Sequence, residues 1–188
     1  MLENFYHELQ KLAPLENREL LAEIEQKVSI QAKPKGSILL HEGENSTRVL
    51  FLLEGLARGF YYNDGVEVTS WILPENNFLF SPSNFFVDKP ATETIQLLEK
   101  STVLLMNKSD LQALQIKYPE AAQLTIRVLE KFLIYYDHRV RFLRLSAEER
   151  LKRCQEEYPS IISRISIAQL ATFLGLSRSS ISHMRTKK

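Results

Sequence analysis

Close to the C-terminal end, Arg178, Ser182 and Arg185 recur at i, i+4 and i+7, with Ser179 and His183 beside them. At 3.6 residues per turn, that spacing sets two guanidiniums and a hydroxyl on one edge of a helix. Ile181 and Met184, three residues apart, face the opposite side. Cationic and hydroxyl groups along one edge suit a polyanion, and the charge distribution agrees. Residues 139–188 hold 11 Lys and Arg against four Glu, a local charge of +7, whereas residues 1–138 sum to −6. The whole-chain value of +1 conceals this division.

A helical edge of this kind needs a partner helix to hold it. Ser166 followed by Gln169 is a capping box, which starts a helix carrying Leu170 and Leu174 on its apolar face. Ala171 is small where a second helix must cross closely. Gly175 stands where the first helix has to end in a left-handed residue, and Ser177 is placed to cap the next one. Two short helices joined by a tight glycine turn, the second polar outside and anchored inside, form a helix-turn-helix. On a basic tail, this pattern points to double-stranded DNA. A purely structural hairpin would not need all of these features together.

Upstream, Ala122, Ile126, Leu129, Leu133, Tyr136, Val140 and Leu143 follow a 4-3-4-3-4-3 spacing, a seam of three heptads. A second apolar row (Ala121, Thr125, Val128, Phe132, Tyr135, Phe142) runs beside it. Two stripes give a helix two dry sides, one for its own domain and one for a second copy in a homodimer. Residues 36–106 read as short strands separated by turns. Asp64-Gly65 between β-branched and aromatic runs marks a type I′ hairpin, and Thr94–Leu98 and Val103–Met106 close the set. Before them, residues 3–27 show helical periodicity through Leu9, Leu12, Leu20, Leu21, Ile24 and Val28. The fold class read from this order is α+β. An N-terminal β-roll with flanking helices occupies 1–109, a long dimerisation helix 110–145, and a helix-turn-helix 146–188.

Composition removes several functions. A single cysteine, Cys154, rules out an internal disulfide, a multi-cysteine iron–sulfur cluster and a Cys-rich zinc site. The four histidines (His7, His41, His138, His183) are scattered, so a metal-dependent enzyme of the cupin kind is not expected. No apolar run approaches the roughly 18 residues of a membrane span, and the first residues lack a basic and apolar leader pattern. These readings lead to a cytoplasmic protein with no membrane partner, no metal and no certain cofactor.

Several segments together resemble the Crp/Fnr family of transcription regulators. Lys35-Gly36-Ser37-Ile38-Leu39 with Glu42-Gly43-Glu44 is similar to the opening of its sensor roll, and Glu54 to Thr69 to its central hairpin. Ser146-Ala147-Glu148-Glu149-Arg150 resembles the link into its DNA-binding domain, and Leu174-Gly175-Leu176-Ser177-Arg178 the start of its recognition helix. The resemblance implies a homodimeric DNA-binding protein with a β-roll sensor, and it makes RNA polymerase a further partner to expect. By position it assigns guanine reading to Arg178, whose fork fits O6 and N7. Ser179 stands where the family commonly has Glu, and His183 where it commonly has Arg, so the operator does not transfer from relatives. Gln169, Ser177 and Ser180 are candidate phosphate contacts, with Ser182, Arg185, Lys187 and Lys188 completing the DNA face. Many members continue into a small β wing, so DNA contacts here are expected to rest on the recognition helix and these lysines.

Family members that bind cyclic AMP carry a Gly-Glu pair and an Arg-Ser/Thr pair before the last strands. Arginine there grips the cyclic phosphate bidentately, and Glu accepts from the ribose hydroxyl. Residues 78–94 contain neither pair: Lys89 is their one basic group, and Asp88 and Glu93 would repel a phosphate. Control by cyclic AMP is therefore not expected. Phe78, Phe80, Phe85 and Phe86, with Lys89 and Thr92, are left as lining for an unknown small-molecule effector, or simply as core of the roll. The alternative function is a ligand-binding signalling module whose basic tail docks a protein instead of DNA.

Overall fold

The computed structural model describes residues 2–186, with side chains through Met184. Lys187 and Lys188 lie outside the described residues, as does the side chain of Arg185. The chain opens with α1 (Leu2–Leu12) and α2 (Arg18–Lys27), separated at Pro14. Asn17 caps α2 by accepting from the Leu20 N–H at 3.1 Å.

Eight strands follow: β1 (Val28–Lys33), β2 (Ile38–Leu40), β3 (Arg48–Glu54), β4 (Leu56–Asn63), β5 (Val66–Pro74), β6 (Asn77–Leu79), β7 (Thr94–Leu97) and β8 (Ser101–Asn107). They form two antiparallel four-stranded sheets, β1-β8-β3-β6 and β2-β7-β4-β5. Leu52, Trp71, Ile95, Leu97 and Val103 fill the space between the sheets. Asp64 and Gly65 both have positive φ, as a type I′ turn demands, and Asn63 pairs with Val66 across it.

Two sequence expectations are corrected here. Val28 does not extend the second helix. It begins β1, a strand absent from the sequence reading, which pairs with β8 from Val28↔Met106 to Lys33↔Ser101. The change from helix to strand occurs without a glycine or proline, so periodicity alone placed it too late. The stretch 110–145 is likewise two helices rather than one: α4 (Lys108–Lys117) and α5 (Pro119–Leu143). Pro119 has no N–H to give and its fixed φ suits the first position of a helix, so α5 starts there. A short helix, α3 (Pro82–Val87), lies between β6 and β7.

One row of α5 packs on the roll. Ala121 and Leu124 are buried against α1, α2 and the outer sheet, and Phe132 stacks on Phe80 with ring centroids 4.8 Å apart. Beyond α5 the chain forms α6 (Ala147–Glu157), α7 (Pro159–Ile162), α8 (Ile167–Leu174) and α9 (Arg178–Thr186). This head does not stand apart from the roll. Leu56, Ile72 and Leu98 of the roll share one apolar cluster with Leu151, Cys154, Leu170 and Leu174 of the head. Burial pushes the Cys154 thiol up to about 11, so it is protonated at neutral pH and serves as packing. No helix among the described residues is long and apolar enough to cross a membrane.

Candidate nucleic-acid interface and effector pocket

The two terminal helices are built by the devices visible in the sequence. The Ser166 side chain accepts from the Gln169 N–H at 3.2 Å, and Gln169 Oε1 accepts from the Ser166 N–H at 2.9 Å. Gly175 adopts φ 63°, and the Leu176 N–H returns to the Ala171 carbonyl at 2.9 Å, closing α8 with a left-handed cap. Ser177 Oγ accepts from the Ser180 N–H at 3.0 Å and starts α9. Ile181 is fully buried and fixes the rotation of α9 about its axis. Arg178, Ser179, Ser180, Ser182 and His183 are consequently exposed together.

The helix that docks on the roll is α8, not α9. Thr172 and Thr69 share a hydroxyl–hydroxyl bond of 2.7 Å, and Phe173 is buried. The edge of α9 therefore stays open. Gln169 also has its carbonyl oxygen committed to the capping box, which leaves its amide N–H groups for any phosphate.

Part of the basic tail is used internally. Arg164 bridges to Glu99 at 2.5 Å and Glu75 at 3.0 Å, tying the head to the roll. Arg150 donates to the Leu174 carbonyl at 2.6 Å. Arg139 is buried: its Nε donates to Ser70 O at 3.1 Å, and its Nη2 to Thr69 O at 3.2 Å and to Phe173 O. Counting charge along the chain did not separate these three arginines from those facing solvent. Arg139 was identifiable in principle, because it sits among Phe132, Tyr135 and Phe142 on the dry row of α5. A charge at such a place needs internal partners.

The heptad seam is uncovered in the single chain. Ile126, Leu133, Val140 and Leu143 are 55%, 59%, 50% and 43% exposed, and Leu129 and Tyr136 are half-buried. Ile134 is equally exposed beside them.

The proposed effector residues divide into an aromatic cluster and an exposed loop. Phe78 and Phe80 line a cavity of about 200 Å³ with Phe51, Trp71, Phe132 and Tyr135, between α5 and the roll. Phe85 is not part of that lining but packs on Phe80 with ring centroids 5.2 Å apart and shares a second, smaller apolar cavity with Phe78 and Phe80. Phe86, partly exposed on α3, touches the Phe80 and Phe85 rings at 5.6 and 4.9 Å. Lys89 and Thr92 are exposed in the loop after α3 and do not line that cavity. Ser81 Oγ accepts from the Thr92 N–H at 3.2 Å, Asn84 donates to Lys89 O at 3.2 Å, and Lys108 pairs with Asp88 at 2.5 Å, so the loop is held by neutral bonds and one ion pair.

Glu93 does something the sequence did not reveal. It is buried, and its Oε1 accepts from Trp71 Nε1 at 2.8 Å. Burial raises its pKa, with hydrogen bonds from Trp71 and Ser70 acting the other way. The folded protein thus holds this proton above the pH at which the unfolded chain releases it. Stability should fall as pH rises from the ordinary carboxylate range through the raised value. Glu93→Gln keeps an acceptor for Trp71 but cannot ionise, so its melting temperature should lose this part of the decline; an unchanged slope in melts from pH 4 to 8 would show Glu93 ionised in the fold.

Comparison with known proteins places this geometry. Residues 30–118, just under half of the chain, match the cyclic nucleotide-binding domain family. No curated protein matches the sequence. Among solved structures, a transcriptional regulator of the Crp/Fnr family from Eubacterium rectale superposes with a TM-score of 0.76 at 18% identity, covering 93% of this chain and 85% of that one. CLP from Xanthomonas campestris, described as a c-di-GMP-responsive global regulator, gives 0.75 at 15% identity over 91% of each chain. FixK2 from Bradyrhizobium japonicum gives 0.72 at 16% identity, over 85% of this chain and 83% of that one. Residues 30–118 are thus similar to the cyclic nucleotide-binding domain family, and the chain as a whole shares its fold with these solved structures.

Proposed function

We propose that this chain, built on the architecture of the Crp/Fnr regulators, is a homodimeric, sequence-specific DNA-binding transcription regulator of the cytoplasm. The observation that carries the reading is the α9 edge: Ile181 is buried beneath it while Arg178, Ser182 and His183 stay exposed at the end of a basic segment. With α5 paired to its copy along Ile126, Leu129, Leu133, Tyr136, Val140 and Leu143, two such edges enter successive major grooves of a pseudo-palindrome. The half-site centres are about 34 Å apart. Ser177, Ser179 and Ser180, the amide of Gln169, and Arg185, Lys187 and Lys188 take the flanking phosphates and fix register. RNA polymerase is the further partner this architecture suggests.

Cyclic AMP is not the effector in this reading. Where a phosphate needs a guanidinium, the stretch 78–94 supplies none, and its buried ionisable group is the carboxyl of Glu93. Millimolar cyclic AMP should leave the melting temperature unmoved, whereas an occupied site stabilises by RT ln(1 + [L]/Kd). An upward shift would reverse this part of the proposal. The small aromatic cavity beside Phe78 and Phe80 is the place for a different, apolar effector.

Selection of binding sites from random duplexes at physiological salt tests the function directly. A two-fold symmetric motif is expected. On the selected duplex, Arg178→Ala should cost about 1–3 kcal/mol and relax preference at one base pair. A uniform loss over all sequences would make Arg178 a phosphate contact, and selection that yields no motif would remove sequence-specific reading.

A further inference from the structure

Between α5, β5 and the head lies an open cleft of about 720 Å³, larger than the aromatic cavity of the roll and adjoining it at Tyr135. Its size falls in the range of small-ligand sites, roughly 300–1,000 Å³. Three guanidiniums line it (Arg139, Arg141 and Arg153) against the single carboxylate of Glu157. Arg141 is held by Asp137 at 2.9 Å in an exposed pair, while Arg153 is exposed on α6.

Arg139 is the unusual member. It is nine-tenths buried, and backbone carbonyls take its Nε and Nη2. Its Nη1, itself buried, has no hydrogen-bond partner; the guanidinium lies over the Phe173 ring at 4.0 Å, and no carboxylate forms an ion pair with it among the described residues. A buried cation without a counter-ion is expensive, and burial accordingly weakens its hold on the proton. An anion arriving beside it supplies the missing charge. Tyr135, Phe142 and Tyr158 provide flat apolar walls around this group. The cleft's α5 lining is in part on the side of the helix away from the seam. Tyr135, Arg139 and Phe142 lie on the row of α5 that faces the roll and head, where Arg139 bonds to β5 and Phe142 joins the head cluster.

We propose that this cleft binds a small organic anion carrying a planar ring, its anionic group set against Arg139 and Arg153 and its ring between Tyr158 and Phe142. Such a ligand touches α5, the roll and the head at once, so its occupancy favours the docked arrangement of α8 on β5. The site stands independently of the DNA reading.

Calorimetric titration of the full chain with guanosine 5′-monophosphate and with naphthalene-1-sulfonate tests it. At least one of these probes should bind saturably at one per chain, and more tightly than inorganic phosphate or guanosine alone. Arg153→Glu, on an exposed position that leaves the melting temperature in place, should weaken that binding about tenfold or more, and Arg139→Met should do the same or worse. Absence of saturable binding by both probes up to millimolar concentration would overturn the proposal. So would binding that Arg153→Glu leaves unchanged, because the occupied site would then lie elsewhere.

Discussion

Leu133→Asp is expected to halve the mass of the protein in sedimentation equilibrium and to weaken its binding to a two-half-site duplex by about 100-fold or more. Leu133 is more than half exposed at the centre of a stripe whose neighbours Ile126, Leu129, Tyr136 and Val140 are also exposed or half-buried. A lone surface leucine is unremarkable, but a heptad-spaced row of them on a 25-residue helix is a surface built to be covered. Burying each leucine removes apolar area worth about 1.5–3 kcal/mol, and both copies contribute. Aspartate at the same place sets two carboxylates against each other in an apolar seam. The avidity of joined half-site contacts, about 10²–10⁴, is then lost without any change to α9. Binding to a single half-site should be nearly unaffected, which separates loss of the seam from damage to the head. An unchanged mass would refute the seam.

Gly59→Ala is expected to lower stability by about 1–3 kcal/mol, a fall of roughly 2–12 °C in melting temperature. Gly59 lies in β4 directly opposite Trp71 of β5. A Cβ there would sit 2.3 Å from the indole ring, inside any allowed contact, so the ring or the strand must move. Trp71 is itself fixed by its bond to Glu93, so displacement breaks a buried hydrogen bond as well as packing. The same variant should reshape the aromatic cavity that Trp71 lines. A melt within a degree of the parent chain would mean that the roll yields at this point more readily than its packing indicates.

The legible parts of the fold were those marked by stereochemistry acting over a few residues. Asp64-Gly65, Gly175 and the Ser166/Gln169 box each satisfy a local backbone requirement, and each is found where the sequence placed it. The two stripes of α5 were legible because one helix displays its burial directly in its spacing. Less visible were features decided at a distance. Strand β1 follows α2 with no punctuating residue, and only pairing with β8, far along the chain from Val28↔Met106 to Lys33↔Ser101, makes it a strand. Helix α3 is six residues long, too short for periodicity to show.

The candidate site divides in the same way. Exposure of Arg178 and burial of Ile181 follow from their positions on one helix. Arg139 and Arg164 counted as part of a basic tail, yet their partners are carbonyls of β5 and α8 and the carboxylates of Glu75 and Glu99, which only the folded chain brings near. Of the residues read as effector lining, the phenylalanines stay together, Phe80, Phe85 and Phe86 in ring contact, whereas Lys89 and Thr92 fall in the exposed loop after α3, which only the folded chain reveals.

The claim on which the rest depends is that a paired set of α9 edges holds duplex DNA. Affinity for the selected duplex, measured from low to physiological salt together with the protein-to-duplex ratio, tests it most directly. Two chains per duplex are expected, with a straight fall of log K against log salt at a slope near −0.9 for each phosphate neutralised. A single chain per duplex, or an affinity nearly flat in salt, would contradict it and leave the basic segment to a protein partner.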